Sequence, residues 1–188
     1  MQLPGGQDAV ELVVALIAGV AAPPPMSCKV LAIDGPGGSG KSTLAARVAE
    51  QLGGVPVIET DNFASWINAL DWYPRLVEQV LEPLAAGRAA RYQRYDWDTQ
   101  RLGEWHDVRP GEYLIIEGVS SSRLAFRPYL AASVWVETAR PERLRRGLER
   151  DGQDALALWQ DWMAAEDDYI AREHPERHAD LVVSGQPD

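Results

Sequence analysis

One stretch constrains this chain more than any other: residues 35–42 read Gly-Pro-Gly-Gly-Ser-Gly-Lys-Ser. It is preceded by a short apolar run, Lys-Val-Leu-Ala-Ile at 29–33, and followed by residues 42–52, where Leu44, Val48 and Leu52 share one helical stripe. The pattern predicts a strand, a glycine-rich turn and a helix. Further short apolar runs stand at 55–58, 113–116, 133–136 and 181–183, with helical patterns between them. Strands of this kind, joined through helices, form a parallel sheet that is covered on both faces.

The turn matches G-x-x-x-x-G-K-[ST] in full, and it sits where that motif works, between a strand and a helix. Glycines let backbone N–H groups converge on a phosphate chain, and the helix start adds its positive end. Gly35, Gly37, Gly38, Ser39, Gly40, Lys41, Ser42 and Thr43 are the candidate nucleotide contacts. Lys41 would reach the terminal phosphates and Ser42 would ligate Mg²⁺. The plainer alternative is a glycine-rich turn with an exposed lysine. Lysine, however, occurs only at 29 and 41 among 18 basic residues, which favours a specific use for Lys41. The expected fold class is α/β, a doubly wound parallel sheet of the P-loop NTPase type.

Composition narrows the function. A chain of 188 residues is the size of one domain, and its net charge of −10 disfavours nucleic acid or an anionic membrane as partner. Cys28 is the sole cysteine, and the three histidines, His106, His174 and His178, lack zinc-site spacing, so a reducing cytoplasm is expected. The apolar stretch 10–22 is interrupted by Glu11 and is too short to span a bilayer, and no basic residue precedes it as in a secretory signal. Val13, Leu16, Ile17 and Val20 make it a surface-packed helix, stopped by Pro23-Pro24-Pro25. The expected organisation is an N-terminal helix and proline-rich linker at 1–25 and a P-loop domain at 26–188. Whether the helix packs on the core or joins two copies in a homo-oligomer is open at this level.

Two acids stand at predicted strand ends. Asp61, in Glu-Thr-Asp-Asn-Phe at 59–63, would orient an attacking hydroxyl at the carboxyl edge of the sheet; the alternative is a helix cap. Glu117, after Tyr-Leu-Ile-Ile, holds the position of a second Mg²⁺ ligand; the alternative is an ordinary strand-end acid. A helix at 141–150 puts Arg143, Arg146 and Arg150 on one face, forming an arginine-rich lid over about 140–155 that could clamp a phosphoryl group. The alternative is a solvated basic face. Residues 74–86 read as one helix closed by Gly87, and about 89–110 as a hairpin insertion turning near 98–100 or 102–103. Trp159 and Trp162, with Leu156 and Leu158, read as core or interface rather than a ligand cage.

The motif chain resembles the uridine/cytidine kinase family of P-loop kinases. It runs from the glycine loop through Thr60-Asp61-Asn62-Phe63, Asp71-Trp72-Tyr73-Pro74, Tyr95-Asp96-Trp97-Asp98-Thr99 and Ile116-Glu117-Gly118 to Arg143 through Asp151 and Ala179-Asp180-Leu181-Val182-Val183. The resemblance implies that Asp61 is the base for a nucleoside 5′-hydroxyl and that Asp71 holds the ribose. It further implies that Tyr95 and Trp97 contact the base and that Arg146 and Arg150 engage the phosphates. Gln100 stands where the family often has a base-reading histidine, one extra residue separates Asp71 from Pro74, and residues 152–155 lack further lid arginines.

The expectation is an ATP-dependent, Mg²⁺-assisted kinase for a uridine- or cytidine-like nucleoside. Two other readings share the loop: a kinase for a nucleoside monophosphate, vitamin precursor or other alcohol, and a nucleotide-binding regulatory protein without turnover. ATP and GTP are not distinguished as donors, although the guanine-reading N-K-x-D is absent.

Overall fold

The structure, a computed structural model, describes residues 6–186. Five parallel strands form the central sheet in the order β2-β5-β1-β6-β7: β1 Lys29–Asp34, β2 Val57–Glu59, β5 Tyr113–Glu117, β6 Ala132–Glu137 and β7 Leu181–Ser184. β3 Ala90–Asp96 and β4 Arg101–Val108 pair antiparallel as a separate hairpin. All five expected sheet strands are present. β2 begins only after Pro56, whose nitrogen has no hydrogen to give; its carbonyl accepts the Ile115 N–H at 3.0 Å.

Side chains alternate across the pleat and both faces are buried. Leu31 and Ile33 of β1 face helix α2 Lys41–Gln51, through Leu44 and Val48, and helix α1 Gly6–Gly19, through Val13 and Ile17. The N-terminal helix therefore packs on the core of its own chain, with Val13 and Ile17 fully buried. Val30, Leu114 and Ile116 face the opposite way, onto Leu76, Val80, Leu81, Trp72 and Phe126. There the single helix expected at 74–86 is α3 Tyr73–Leu76, a π turn Val77–Leu81 and α4 Glu82–Ala85. Pro83 explains the wide turn, because its ring would strike the carbonyl of Gln79 in a regular helix.

The hairpin is anchored by Tyr92, buried with its ring 5.0 Å from that of Phe63, and turns at 97–100, the first of the two expected places. The Asp96 carboxylate accepts the N–H groups of Asp98 and Thr99 there. After β6 come α5 Arg140–Asp151, α6 Leu156–Glu173 and α7 Pro175–His178. The carboxyl ends of β1, β2, β5 and β6 share one edge, where open α/β sheets bind ligands. Among the described residues no helix is long and apolar enough to cross a membrane.

Candidate functional site

The loop after β1 closes by using glycine where other residues are strained: Gly38 and Gly40 have φ of 74° and 100°. A Cβ on Gly38 would also lie 2.6 Å from the carbonyl oxygen of Arg143, so α5 rests directly on the loop. α2 begins at Lys41 with no side-chain cap, leaving its positive end facing the loop. Lys41 is buried, and its Nζ donates to the Pro36 carbonyl at 2.9 Å. The loop is thus pre-wound around its own cation.

Beneath it, the fully buried Asp34 carboxylate accepts the N–H groups of Gly35, Ser120 and Ser122 and the hydroxyls of Ser122 and Tyr169, at 2.7 to 3.0 Å. Burial raises the pKa of Asp34 against these donors and raises that of Tyr169 as well, so the phenol stays a donor. This carboxylate ties the first glycine of the loop to the segment after β5 and to α6.

A cavity of about 860 Å³ opens over the loop. Gly37, Gly38, Gly40, Lys41, Ser42 and Thr43 form its floor, Asp61 and Glu117 stand at one side, and Arg146 and Arg150 at the lid. Gly35 and Ser39 lie below the loop rather than on the cavity surface; Ser39 is fully buried, its carbonyl accepting the Thr138 hydroxyl at 3.0 Å. Glu117 is held by parallel pairing of β5 beside Glu59 of β2 and Ile33 of β1. Burial pushes its carboxyl up to about 7; Lys41 and a hydrogen bond from Ser42 oppose this, while Asp61 and Glu59 add to it.

The lid arginines are already engaged. Arg146 donates from Nε to Glu142 and from Nη1 to the carbonyls of Gly38 and Gly185, at 2.8, 3.3 and 3.0 Å. Arg150 forms two hydrogen bonds to Asp151 and lies 5.6 Å from the Trp159 ring. Arg143 does not join them: it is buried, donating to the Thr138 carbonyl and to Glu166 Oε2, both at 3.1 Å. The helical spacing was right, but the docking of α5 on the loop turns Arg143 inward.

Trp66, Trp97, Trp159 and Trp162 line the cavity as well, together with Val119, Asp151, Ala155 and Leu158. Trp159 and Trp162 are packed as expected of core residues, and both also line this cavity. Trp159 is indeed buried, but its ring is wedged between loop and lid: Cβ atoms on Gly37 and Gly147 would lie 3.1 and 2.4 Å from it. Gly147→Ala therefore runs against the usual rule. Alanine inside a helix normally gains about 1 kcal/mol over glycine, whereas overpacking against this ring costs about 1–3 kcal/mol. Urea unfolding will show a net loss of stability; a stabilised variant would contradict the packing.

Of the residues that the resemblance implies for an acceptor, Asp61 and Trp97 meet at the cavity, where Trp97 Nε1–H donates to the Asp61 carbonyl at 2.9 Å. Asp71, Tyr95 and Gln100 do not line it. Asp71 is exposed, its N–H bound to Asn68 Oδ1, and Tyr95 stands edge-on to Trp97 at 5.5 Å. Gln100 is exposed in the hairpin turn, with φ of 53°.

Residues not singled out in advance complete the site. Glu166 of α6 is 1% exposed; its Oε1 accepts the Gly37 N–H at 2.7 Å and the Trp162 Nε1–H at 2.8 Å. One carboxylate thus joins loop, aromatic wall and lid helix. An acid on the apolar stripe of Trp159, Trp162, Met163 and Tyr169 was the available signal, because a buried charge needs a partner.

Against solved structures, the fold matches a "Possible Uridine Kinase" from Bacillus stearothermophilus with a TM-score of 0.70 and 23% identity, over 94% of this chain and 98% of that one. The chain has an α/β fold of the P-loop NTPase type. A provisionally named fructose transport system kinase from Silicibacter sp. TM1040 gives a TM-score of 0.63 and 19% identity, over 97% and 100% of the two chains. No family model and no curated protein matches the sequence. This fold agrees with the α/β class expected from the glycine loop and the parallel strands.

Proposed function

We propose that this protein is an ATP-dependent kinase that transfers the terminal phosphoryl group to a hydroxyl of a small acceptor, with a nucleoside as the first candidate. The observation that carries this reading is that the glycine loop, Lys41, Ser42, Glu117 and Asp61 all line one cavity. Such a transfer needs little covalent chemistry from the protein, mainly alignment and charge neutralisation.

In the proposed reaction the acceptor oxygen forms a bond to the γ-phosphorus, and the bond from that phosphorus to the β–γ bridging oxygen breaks, leaving ADP. The hydroxyl proton passes to the Asp61 carboxylate and on to solvent. Loop N–H groups and Lys41 hold the triphosphate, and Arg146 and Arg150 exchange their present partners for phosphate oxygens.

The site suits a magnesium ion. Glu117 Oε2 is buried without a hydrogen-bond partner among the described residues, and the Ser42 hydroxyl is beside it. Among the described residues no cluster of three or more His, Cys, Asp or Glu could hold a metal, so triphosphate oxygens and water would complete the shell. The ion supplies positive charge that neutralises the triphosphate.

Glu117→Gln separates function from stability. The ordinary carboxyl value is 4.5 and the folded value about 7, so folding disfavours the ionised form. Metal-free wild type then loses stability as pH rises from 4.5 to about 7 and stays at that lower level above, by roughly 3 kcal/mol. Metal-free Glu117→Gln will melt higher than wild type at pH 8, with a gap that narrows as the pH falls towards 4.5, and will lose Mg²⁺-dependent turnover. Equal melting at pH 8 would refute the buried-carboxylate reading.

The function itself is tested with a panel of nucleosides, nucleoside monophosphates, sugars and other alcohols, reading acceptor-dependent ADP release. One class should be phosphorylated. ATP binding without release for any member would leave the regulatory reading.

A further inference from the structure

The glycine loop is held by side chains from outside itself. Glu166 Oε1, which also takes the Trp162 Nε1–H, accepts the Gly37 N–H at 2.7 Å. Glu166 Oε2 accepts from Arg143 Nη1 at 3.1 Å, and Arg143 Nε donates to the Thr138 carbonyl at 3.1 Å. The Thr138 hydroxyl in turn stands 3.0 Å from the Ser39 carbonyl and 2.9 Å from that of Glu137, and its one proton is shared between them. These bonds close a ring. It leaves the loop at Gly37, passes through α6, α5 and the residue after β6, and returns at Ser39, with Gly38 between its two ends.

Ser39, Glu166, Thr138 and Arg143 are 0, 1, 3 and 6% exposed, so water does not compete for these bonds. The two grips on the loop come from 129 and 99 residues away in sequence. Gly35 is held separately, by the Asp34 carboxylate. The remaining ties differ in kind. Lys41 Nζ on the Pro36 carbonyl and Arg146 Nη1 on the Gly38 carbonyl belong to groups that a triphosphate recruits in the proposed reaction. Glu166, Arg143 and Thr138 do not line the cavity, so phosphate makes no claim on them. They also fill the space beside the loop: a Cβ on Gly37 would lie 2.9 Å from Glu166 Oε1, and one on Gly38 2.6 Å from the Arg143 carbonyl oxygen. Glycine fits there, and glycine loses the most backbone freedom on being ordered.

We infer that Glu166 and Thr138, joined through Arg143, are positioning residues for phosphate binding: they hold the glycine loop in its phosphate-accepting curl before a nucleotide arrives. This rests on the reading of the loop as a triphosphate seat and names the side chains that set its shape. A free run of glycines would have to be ordered at the moment of binding, and ordering one backbone residue corresponds to about tenfold in affinity. A loop fixed in advance avoids that loss. The ring also keeps its hold while Lys41 and Arg146 turn from loop carbonyls to phosphate oxygens.

Binding is measured on the full chain by calorimetry with Mg²⁺ and two probes, ATP and inorganic tripolyphosphate, alongside urea unfolding of every variant. Thr138→Val keeps the shape but removes the hydroxyl; it should weaken both probes equally, by about tenfold, because the loss lies in the loop and not at the base. Thr138→Ser restores the hydroxyl and should bind both within about threefold of wild type. The charge-balanced pair Arg143→Met with Glu166→Leu should weaken both probes by at least about tenfold. Adding Thr138→Val to that pair should cost no more than about threefold further, since a ring opened once is already open. A merely structural role would lower the urea midpoints and leave both isotherms unchanged, and that result overturns the inference. So does a loss for ATP without one for tripolyphosphate, a Thr138→Ser variant as weak as Thr138→Val, or a triple variant whose loss is the product of the two. If wild type binds neither probe, the phosphate seat fails and the inference fails with it. ADP release is read separately: ring-dependent binding without release for any acceptor would sink the kinase reading and leave the positioning role standing.

Discussion

Asp61→Asn should lower kcat by about 10²- to 10⁴-fold, the range for loss of a positioned general base, and should leave ATP affinity within about threefold, because the proposed phosphate contacts lie elsewhere. The substitution is unusually clean here. The contact between Asp61 and Trp97 runs through the Asp61 carbonyl, not its carboxylate, so the hairpin stays in place when the charge is removed. The turn that carries Asp61, Thr60–Asn62, is fixed by its neighbours: Thr60 and Asn62 are buried, and Asn62 Nδ2 donates to the Tyr92 hydroxyl at 3.2 Å. Asparagine is nearly isosteric and keeps a polar contact to the acceptor hydroxyl, but it cannot take the proton. Single-turnover kinetics should therefore show a slowed transfer step with normal nucleotide binding. Turnover near the wild-type rate would remove Asp61 from the chemistry.

The second large effect is on stability. Arg143 and Glu166 are 6% and 1% exposed and pair at 3.1 Å. Removing one partner of a buried pair leaves the other charge desolvated and costs about 3–5 kcal/mol, whereas replacing both by apolar groups of similar volume is often close to neutral. Arg143→Met should lose stability in that range by urea denaturation. The double variant with Glu166→Leu should recover part of the charge penalty, but not all, because the Gly37 and Trp162 N–H groups would lose their acceptor. A loss below about 1 kcal/mol in Arg143→Met would mean that the pair is not desolvated as described.

The stability of this pair and the geometry of the site are one question. Glu166 spans the phosphate loop and Trp162, while Arg143 belongs to the helix that carries Arg146 and Arg150. A destabilised pair should loosen the lid before the sheet, since Arg143 belongs to α5 and Glu166 to α6.

What the sequence makes legible is the part of the site set by local pattern. A strand, a glycine turn and a helix are contiguous, so the loop, Lys41 and Ser42 can be placed without knowing the rest of the molecule. Asp61 and Glu117 are legible for a related reason: each follows a short apolar strand, and parallel strands end on one edge. The position of the hairpin is readable from its aromatic and polar alternation.

The rest depends on docking between elements. Arg143 shares a helical stripe with Arg146 and Arg150, yet one end of that stripe is buried by the loop. Trp159 and Trp162 lie on an apolar stripe that any packed helix would show; only the glycines at 37 and 147 let the ring of Trp159 reach loop and lid. Asp71, Tyr95 and Gln100 lie close in sequence to residues that do reach the cavity. Asp71 nonetheless stays at the surface, Tyr95 is behind Trp97, and Gln100 is carried away by the left-handed turn. Spacing alone does not encode those directions.

The central claim is that residues 35–42 seat a triphosphate, and calorimetric titration of the protein with ATP and Mg²⁺ tests it most directly. Wild type should show saturable one-site association that Lys41→Met weakens by at least about tenfold, since a charge-assisted contact is worth about 1.5–3 kcal/mol. No saturable heat with wild type, or an unchanged isotherm with Lys41→Met, would contradict the account.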